Sequence, residues 1–208
     1  MGCDGVFTAA ASLRGPTELC MDLLADPDYA RELLEFVHTA LCARMKAWRD
    51  YGNVPVPQDG FGSADDSVEL LSLDQYREFM LPLHKRLFDQ FGTPGNRGIH
   101  LCGDAQRHFV TLRDELGVTS FDTGFPVDFA KLRRDLGPGV LISGGPPVTF
   151  FLEETSQPIL AKTGSILSSG ILEGGRFILQ EANNLPPGTR LEICHDFYEF
   201  GKKTQLRN

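Results

Sequence analysis

The chain has 208 residues, 41% of them hydrophobic, which is enough for a sizeable buried core. A formal net charge of −8 and a pI near 5.1 exclude a basic nucleic-acid footprint and a surface that seeks anionic membranes. No apolar run approaches the roughly 18 residues that a membrane span needs.

Met1-Gly2-Cys3-Asp4-Gly5-Val6 reads as neither a signal peptide nor a myristoylation motif, which wants Ser or Thr at position 6. Val6 to Ala11 is expected to be a strand. Asp28 to Tyr51 reads as a helix with Ala30, Leu33, Leu34, Val37, Leu41, Met45 and Trp48 on one stripe, opened by Asp26-Pro27 and closed by Gly52. Val54 to Val56 is the next expected strand, followed by a loop from Asp59 to Asp66. Ser72 and Gln75 form a capping-box pattern opening a helix with Tyr76, Phe79, Met80, Leu83, Leu87 and Phe91 inward, stopped at Gly92. A strand around Ile99 and a helix from Ala105 to Leu116 come next. Then follow a strand Val118 to Asp122, a helix Val127 to Leu136, and a strand Val140 to Ser143 that runs into Gly144-Gly145-Pro146-Pro147. A helix Ser156 to Ser169, a strand Arg176 to Glu181 and a helix Leu191 to Phe200 complete the pattern.

About six strands alternate with helices, the signature of a parallel sheet covered by helices. Such a sheet is either doubly wound or closed as a (β/α)₈ barrel. No glycine-rich dinucleotide fingerprint and no phosphate-binding loop occur, which removes support for nucleotide binding. The five cysteines (Cys3, Cys20, Cys42, Cys102 and Cys194) are odd in number and scattered, unlike a disulfide framework. A cytoplasmic protein is expected.

His100-Leu101-Cys102-Gly103 is the stretch richest in chemistry. In an extended strand His100 and Cys102 project to the same side, about 7 Å apart along the chain. An imidazole and a thiolate converging at a strand end suit two of the three protein ligands of a catalytic zinc. A satisfied histidine beside a small buried cysteine is the structural alternative.

From Gly5 to Gly201 the order of motifs resembles the uroporphyrinogen decarboxylase superfamily. The carrying stretches include Phe7-Thr8 through Leu13-Arg14-Gly15, Asp26-Pro27, Asp65-Asp66 and Leu71 through Leu83. They continue with His100-Leu101-Cys102-Gly103, Asp122, Lys131 to Gly137, Ile142 to Gly145, Gly174 to Leu179 and Asn183 to Pro187. The resemblance implies a (β/α)₈ barrel, of which residues 1–208 would be one partial domain: the C-terminal two-thirds, lacking the first strands. Unpaired sheet edges would favour a homo-oligomer.

Two branches of that superfamily set two expectations. One is the cofactor-free uroporphyrinogen decarboxylase, a carboxy-lyase of porphyrin biosynthesis; this chain has Ala11 where that branch has a tyrosine, and no histidine between Gln180 and Leu185. The other moves a methyl group from a corrinoid protein to a thiol, with zinc held on H-x-C and a later cysteine. His100 and Cys102 match it residue for residue. The later cysteine should fall near Asn183; Cys194 is the downstream thiol, and Glu181 or Asn183 would be the oxygen-donor alternatives. The resemblance therefore implies a zinc-dependent methyltransferase, with methylcobalamin on a partner corrinoid protein as donor and a small thiol as acceptor. A truncated, non-catalytic binding module is the third possibility.

Asp65 and Asp66 follow a barrel strand, where such folds build their sites, and would shape the pocket or orient a substrate; a solvated acidic loop capping the next helix fits them equally. Asp122, at the end of a strand, is a further candidate substrate contact. His108 reads as a partly exposed surface residue, His38 and His84 as structural, and Arg133-Arg134 as a solvated helix face.

Overall fold

The computed structural model describes residues 5–205; Cys3 and the other residues of the first four, and residues 206–208, lie outside the described residues. The chain divides into two compact units, Met1–Phe121 and Asp122–Asn208.

The first unit opens with three mutually packed helices, α1 (Val6–Arg14), α2 (Pro16–Ala25) and α3 (Pro27–Tyr51). The strand expected at Val6 to Ala11 is thus the start of α1. Alanine is the strongest helix former, and three follow one another at positions 9–11. Gly5 has no side chain to cap the helix, and the amides of Phe7 and Thr8 instead reach the carboxylate of Asp65. Asp26 caps α3 through the Tyr29 amide, and Gly52 ends it.

Val54 to Val56 is not a strand. Pro55 and Pro57 flank Val56 and have no N–H for a ladder. The strand comes later, as β1 (Phe61–Ala64), within the expected loop. Its two-residue alternation is carried by Phe61 and Ser63, which are buried, and hidden by Gly60 and Gly62. β1 pairs in parallel with β2 (Arg97–Leu101), Phe61 opposite Arg97 and Ala64 opposite His100. Phe61 packs against Phe88 and Phe91, ring centres 5.4 and 6.0 Å away.

Between these strands run a 3₁₀ segment, Asp66–Leu70, then α4 (Leu73–Gln75), a π-helical turn (Tyr76–Met80) and α5 (Leu81–Phe91). The expected capping box is present: Ser72 accepts from the Gln75 amide and Gln75 accepts from the Ser72 amide. In the π turn the amide of Leu81 bonds to the carbonyl of Tyr76, one residue further back than in an α-helix. A 3₁₀ turn (Gln106–His108) leads into α6 (Phe109–Leu116), closed by left-handed Gly117. β3 (Val118–Thr123) follows and neighbours β2 in the sheet.

In the second unit β4 (Leu141–Gly144) pairs in parallel with β5 (Phe177–Leu179), and α7 (Phe129–Leu136) precedes them. α8 (Gln157–Leu167) and α9 (Leu191–Gln205) enclose a cluster of Phe151, Ile159, Ile193 and Phe197. Arg133 is not on a solvated face. It is 2% exposed and its guanidinium is spent on main-chain carbonyls. Among the described residues there are five strands rather than six, and no helix is long and apolar enough to cross a membrane.

Candidate metal centre

The parallel pairing of β1 and β2 determines what meets at their C-terminal ends. With Ala64 opposite His100, the chain leaving β1 passes beside the chain leaving β2, and the Asp65 amide donates to the His100 carbonyl at 3.3 Å. The next residue, Asp66, accepts the Cys102 amide on Oδ1 at 2.8 Å, and the same oxygen lies 3.5 Å from His100 Nε2. One donor atom each from Asp66, His100 and Cys102 falls within 4.8 Å of the others, and all three residues are half-buried.

An imidazole nitrogen, a thiol sulphur and a carboxylate oxygen at such separations fit a single zinc ion, which takes all three donor types in tetrahedral sites. The carboxylate has about four lone-pair positions, so its bond to the Cys102 amide leaves capacity for a metal. Cys102 and Asp66, both ionised, would match a divalent charge. Among the described residues this is the only group of three histidine, cysteine, aspartate or glutamate side chains so arranged.

The two neighbouring aspartates have opposite surroundings. Asp65 is 0% exposed and turned into the core of the first unit. Its Oδ2 accepts from the Phe7 amide at 3.1 Å and faces His84 Nε2 at 2.9 Å, while Oδ1 accepts from the amide and hydroxyl of Thr8 at 2.7 and 2.9 Å. The alternation of a strand end explains the split: consecutive side chains leave on opposite sides. Sequence reasoning put Asp66 in the pocket without giving it a metal; the register of β1 on β2 is the information it lacked.

The remaining candidates belong to the second unit. Asp122, at the end of β3, accepts from Gln180 Nε2 at 2.6 Å. Cys194 sits on α9 against the Phe151 cluster, and burial raises its thiol pKa, which disfavours the thiolate a metal needs. Glu181 and Asn183 lie in the segment between β5 and α9.

His108 is fully buried rather than on the surface. Its Nε2 donates to the Val68 carbonyl at 3.1 Å, its Nδ1 has no hydrogen-bond partner, and its ring lies 4.7 Å from that of Tyr76. Burial lowers its pKa from 6.5 to about 4. An unfolded histidine titrates near 6.5, so between those values the unfolded chain takes up a proton that the folded chain refuses. Stability from this group is full above about pH 6.5 and drains as pH falls towards 4, by about 3 kcal/mol in all. Urea unfolding at pH 7.5 and 4.5 should show a smaller acid loss in His108→Gln than in the parent chain. Equal losses would remove His108 from the account.

The family model described as uroporphyrinogen decarboxylase (URO-D) matches residues 1–204. This chain belongs to the uroporphyrinogen decarboxylase family. As a family member it is 28% identical over 203 residues to a methylated-thiol–coenzyme M methyltransferase of Methanosarcina mazei, an alignment covering 96% of this chain and 52% of that protein. Its fold matches that of a solved methyltransferase from Methanosarcina mazei with a TM-score of 0.73 at 18% identity, over 97% of this chain and 57% of the other. The chain therefore spans about half the length of the relatives it matches. Its architecture is that of a partial (β/α)₈ barrel of uroporphyrinogen decarboxylase type. In such barrels active sites form at the C-terminal ends of the strands, where Asp66 and Cys102 lie.

Proposed function

We propose that this uroporphyrinogen decarboxylase family member is a zinc-dependent methyltransferase that methylates a small thiol, the methyl group arriving on a corrinoid carried by a partner protein. The observation that carries the reading is the convergence of Asp66, His100 and Cys102 at the ends of β1 and β2. The similarity to a methylated-thiol–coenzyme M methyltransferase supports the same reading and makes coenzyme M the first acceptor to test. Residues 1–208 are read as one partial barrel domain acting in the cytoplasm.

His100, Cys102 and Asp66 would hold the zinc, which when bound would supply Lewis acidity that favours the acceptor sulphur as its thiolate. The chain's own part is to fix three donors before the acceptor arrives. His100 is held by the β1–β2 ladder, and Asp66 by its bond to the Cys102 amide. In the overall exchange the acceptor loses its S–H proton to solvent and gains an S–CH₃ bond. The bond between the methyl carbon and its donor breaks, and the electron pair stays with the donor. Asp122, beside Gln180, is read as a substrate contact.

Elemental analysis tests the metal. The parent chain should carry about one zinc, and a His100→Ala, Cys102→Ala double variant should carry none. Thiol methylation by methylcobalamin should disappear with the zinc. A folded chain that takes up no zinc when supplied with it would turn the reading towards a metal-free decarboxylase or a binding module.

A further inference from the structure

A buried line of polar groups runs from the first turn of α1 to the residue beside Asp66. Tyr76 meets His84 Nδ1 through its hydroxyl at 2.9 Å, and His84 Nε2 meets Asp65 Oδ2 at 2.9 Å. The proton positions follow from the chemistry. Burial holds the Tyr76 hydroxyl far above its usual pKa, so it stays neutral and donates to Nδ1. His84 is then protonated on Nε2 and donates to the Asp65 carboxylate. That carboxylate also accepts both the Phe7 and Thr8 amides and the Thr8 hydroxyl, which fills its capacity. The approach is close: a Cβ on Gly5 would lie 1.9 Å from Asp65 Cγ, so only glycine fits there.

The line closes on the other side of Asp66. The Thr8 hydroxyl oxygen accepts the amide of Ser67 at 3.0 Å. Both neighbours of Asp66 are therefore tied to one residue of α1, Asp65 by its side chain and Ser67 by its amide. With its backbone held at both ends, Asp66 keeps only side-chain torsions, and the Cys102 amide restrains those.

We infer that Thr8, Asp65, His84 and Tyr76 are positioning residues that set Asp66 against His100 and Cys102. The consequence for metal binding rests on the zinc reading above; the positioning itself does not. Groups that orient metal ligands from behind are typically worth 10- to 100-fold in affinity. A network that served folding alone would change the melting temperature and leave the folded site as it was.

Three variants separate these roles. His84→Leu removes both bonds, His84→Gln keeps a donor near the Nε2 position, and Tyr76→Phe removes one hydroxyl. Each is measured in the full chain by Co²⁺ titration, followed in the visible d–d and sulphur-to-cobalt bands. Hydrogen exchange of the Cys102 amide is measured in the metal-free protein. His84→Leu should bind Co²⁺ roughly 10- to 100-fold more weakly and exchange the Cys102 amide faster, with His84→Gln recovering most of both. If His84→Leu does not fold, Tyr76→Phe carries the comparison, binding Co²⁺ more weakly than the parent chain and exchanging the Cys102 amide faster. Unchanged affinity and unchanged Cys102 exchange in folded variants would overturn the positioning role. A parent chain that binds no Co²⁺, with Cys102 exchange still responding to the variants, would overturn the metal reading and sustain the positioning.

Discussion

Asp65→Ala is expected to destabilise the chain by about 4 kcal/mol, the cost of removing one member of a buried, hydrogen-bonded charge group. Four donors converge on this carboxylate: the Phe7 and Thr8 amides, the Thr8 hydroxyl and His84 Nε2. The residue is 0% exposed and closely packed against Gly5, so water does not stand ready to replace the carboxylate. The loss includes the first turn of α1, whose macrodipole the carboxylate also offsets. Asp65→Asn should recover only part of it, since the amide presents a donor to a ring of donors. Urea unfolding with the slope held constant is the measurement. A loss under 1 kcal/mol would show that α1 caps itself in solution.

Arg133→Leu should cost roughly 3 kcal/mol, by leaving buried carbonyls without donors. Nε of Arg133 donates to the Ile171 carbonyl at 3.0 Å, and Nη2 to the Arg176 carbonyl at 2.7 Å. Nη1 reaches the carbonyls of Gly137 and Val140, at 2.9 and 2.8 Å. One planar fork thus joins the end of α7, the entry to β4 and the entry to β5. Burial lowers the guanidinium pKa, yet arginine starts so high that it stays charged. Lysine has a single point charge and cannot reproduce the fork, so Arg133→Lys should recover less than half. Thermal melts and urea titrations of the three proteins decide this; a neutral Arg133→Leu would mean that water replaces the guanidinium.

What the sequence shows well is what is local. Asp26, Gly52, Ser72, Gln75 and Gly117 announce helix ends through chemistry within a few residues, and the structure has those ends. The alternation of strands and helices is enough to foresee a parallel sheet covered by helices, and the family resemblance chooses the partial barrel over a doubly wound sheet. His100 and Cys102 stood out because a two-residue spacing has meaning on a strand. Errors arose where a partner was remote. α1 looked like a strand because its cap is Asp65, 58 residues from Phe7. β1 looked like a loop because its inward residues are Phe61 and Ser63, between glycines, and its ladder comes from β2. Arg133 and His108 looked solvated, since nothing nearby in sequence names Ile171 or Val68 as their acceptors. Of the acidic pair, only the strand register says which carboxylate meets the metal donors and which caps a helix.

The π-helical turn at Tyr76–Met80 has a geometric consequence for all of this. In an unbroken α-helix, residues eight apart sit about 80° from one another around the axis. One extra residue in a wide turn retards everything beyond it by about 100°, so such a pair behaves like residues seven apart, almost in line. Tyr76 and His84 are eight apart and meet at 2.9 Å. The inserted residue works as a phase adjuster: regular winding has been given up so that a phenol and an imidazole fall on one meridian. Winding the same residues as an unbroken α-helix would swing the phenol about a quarter turn off that line.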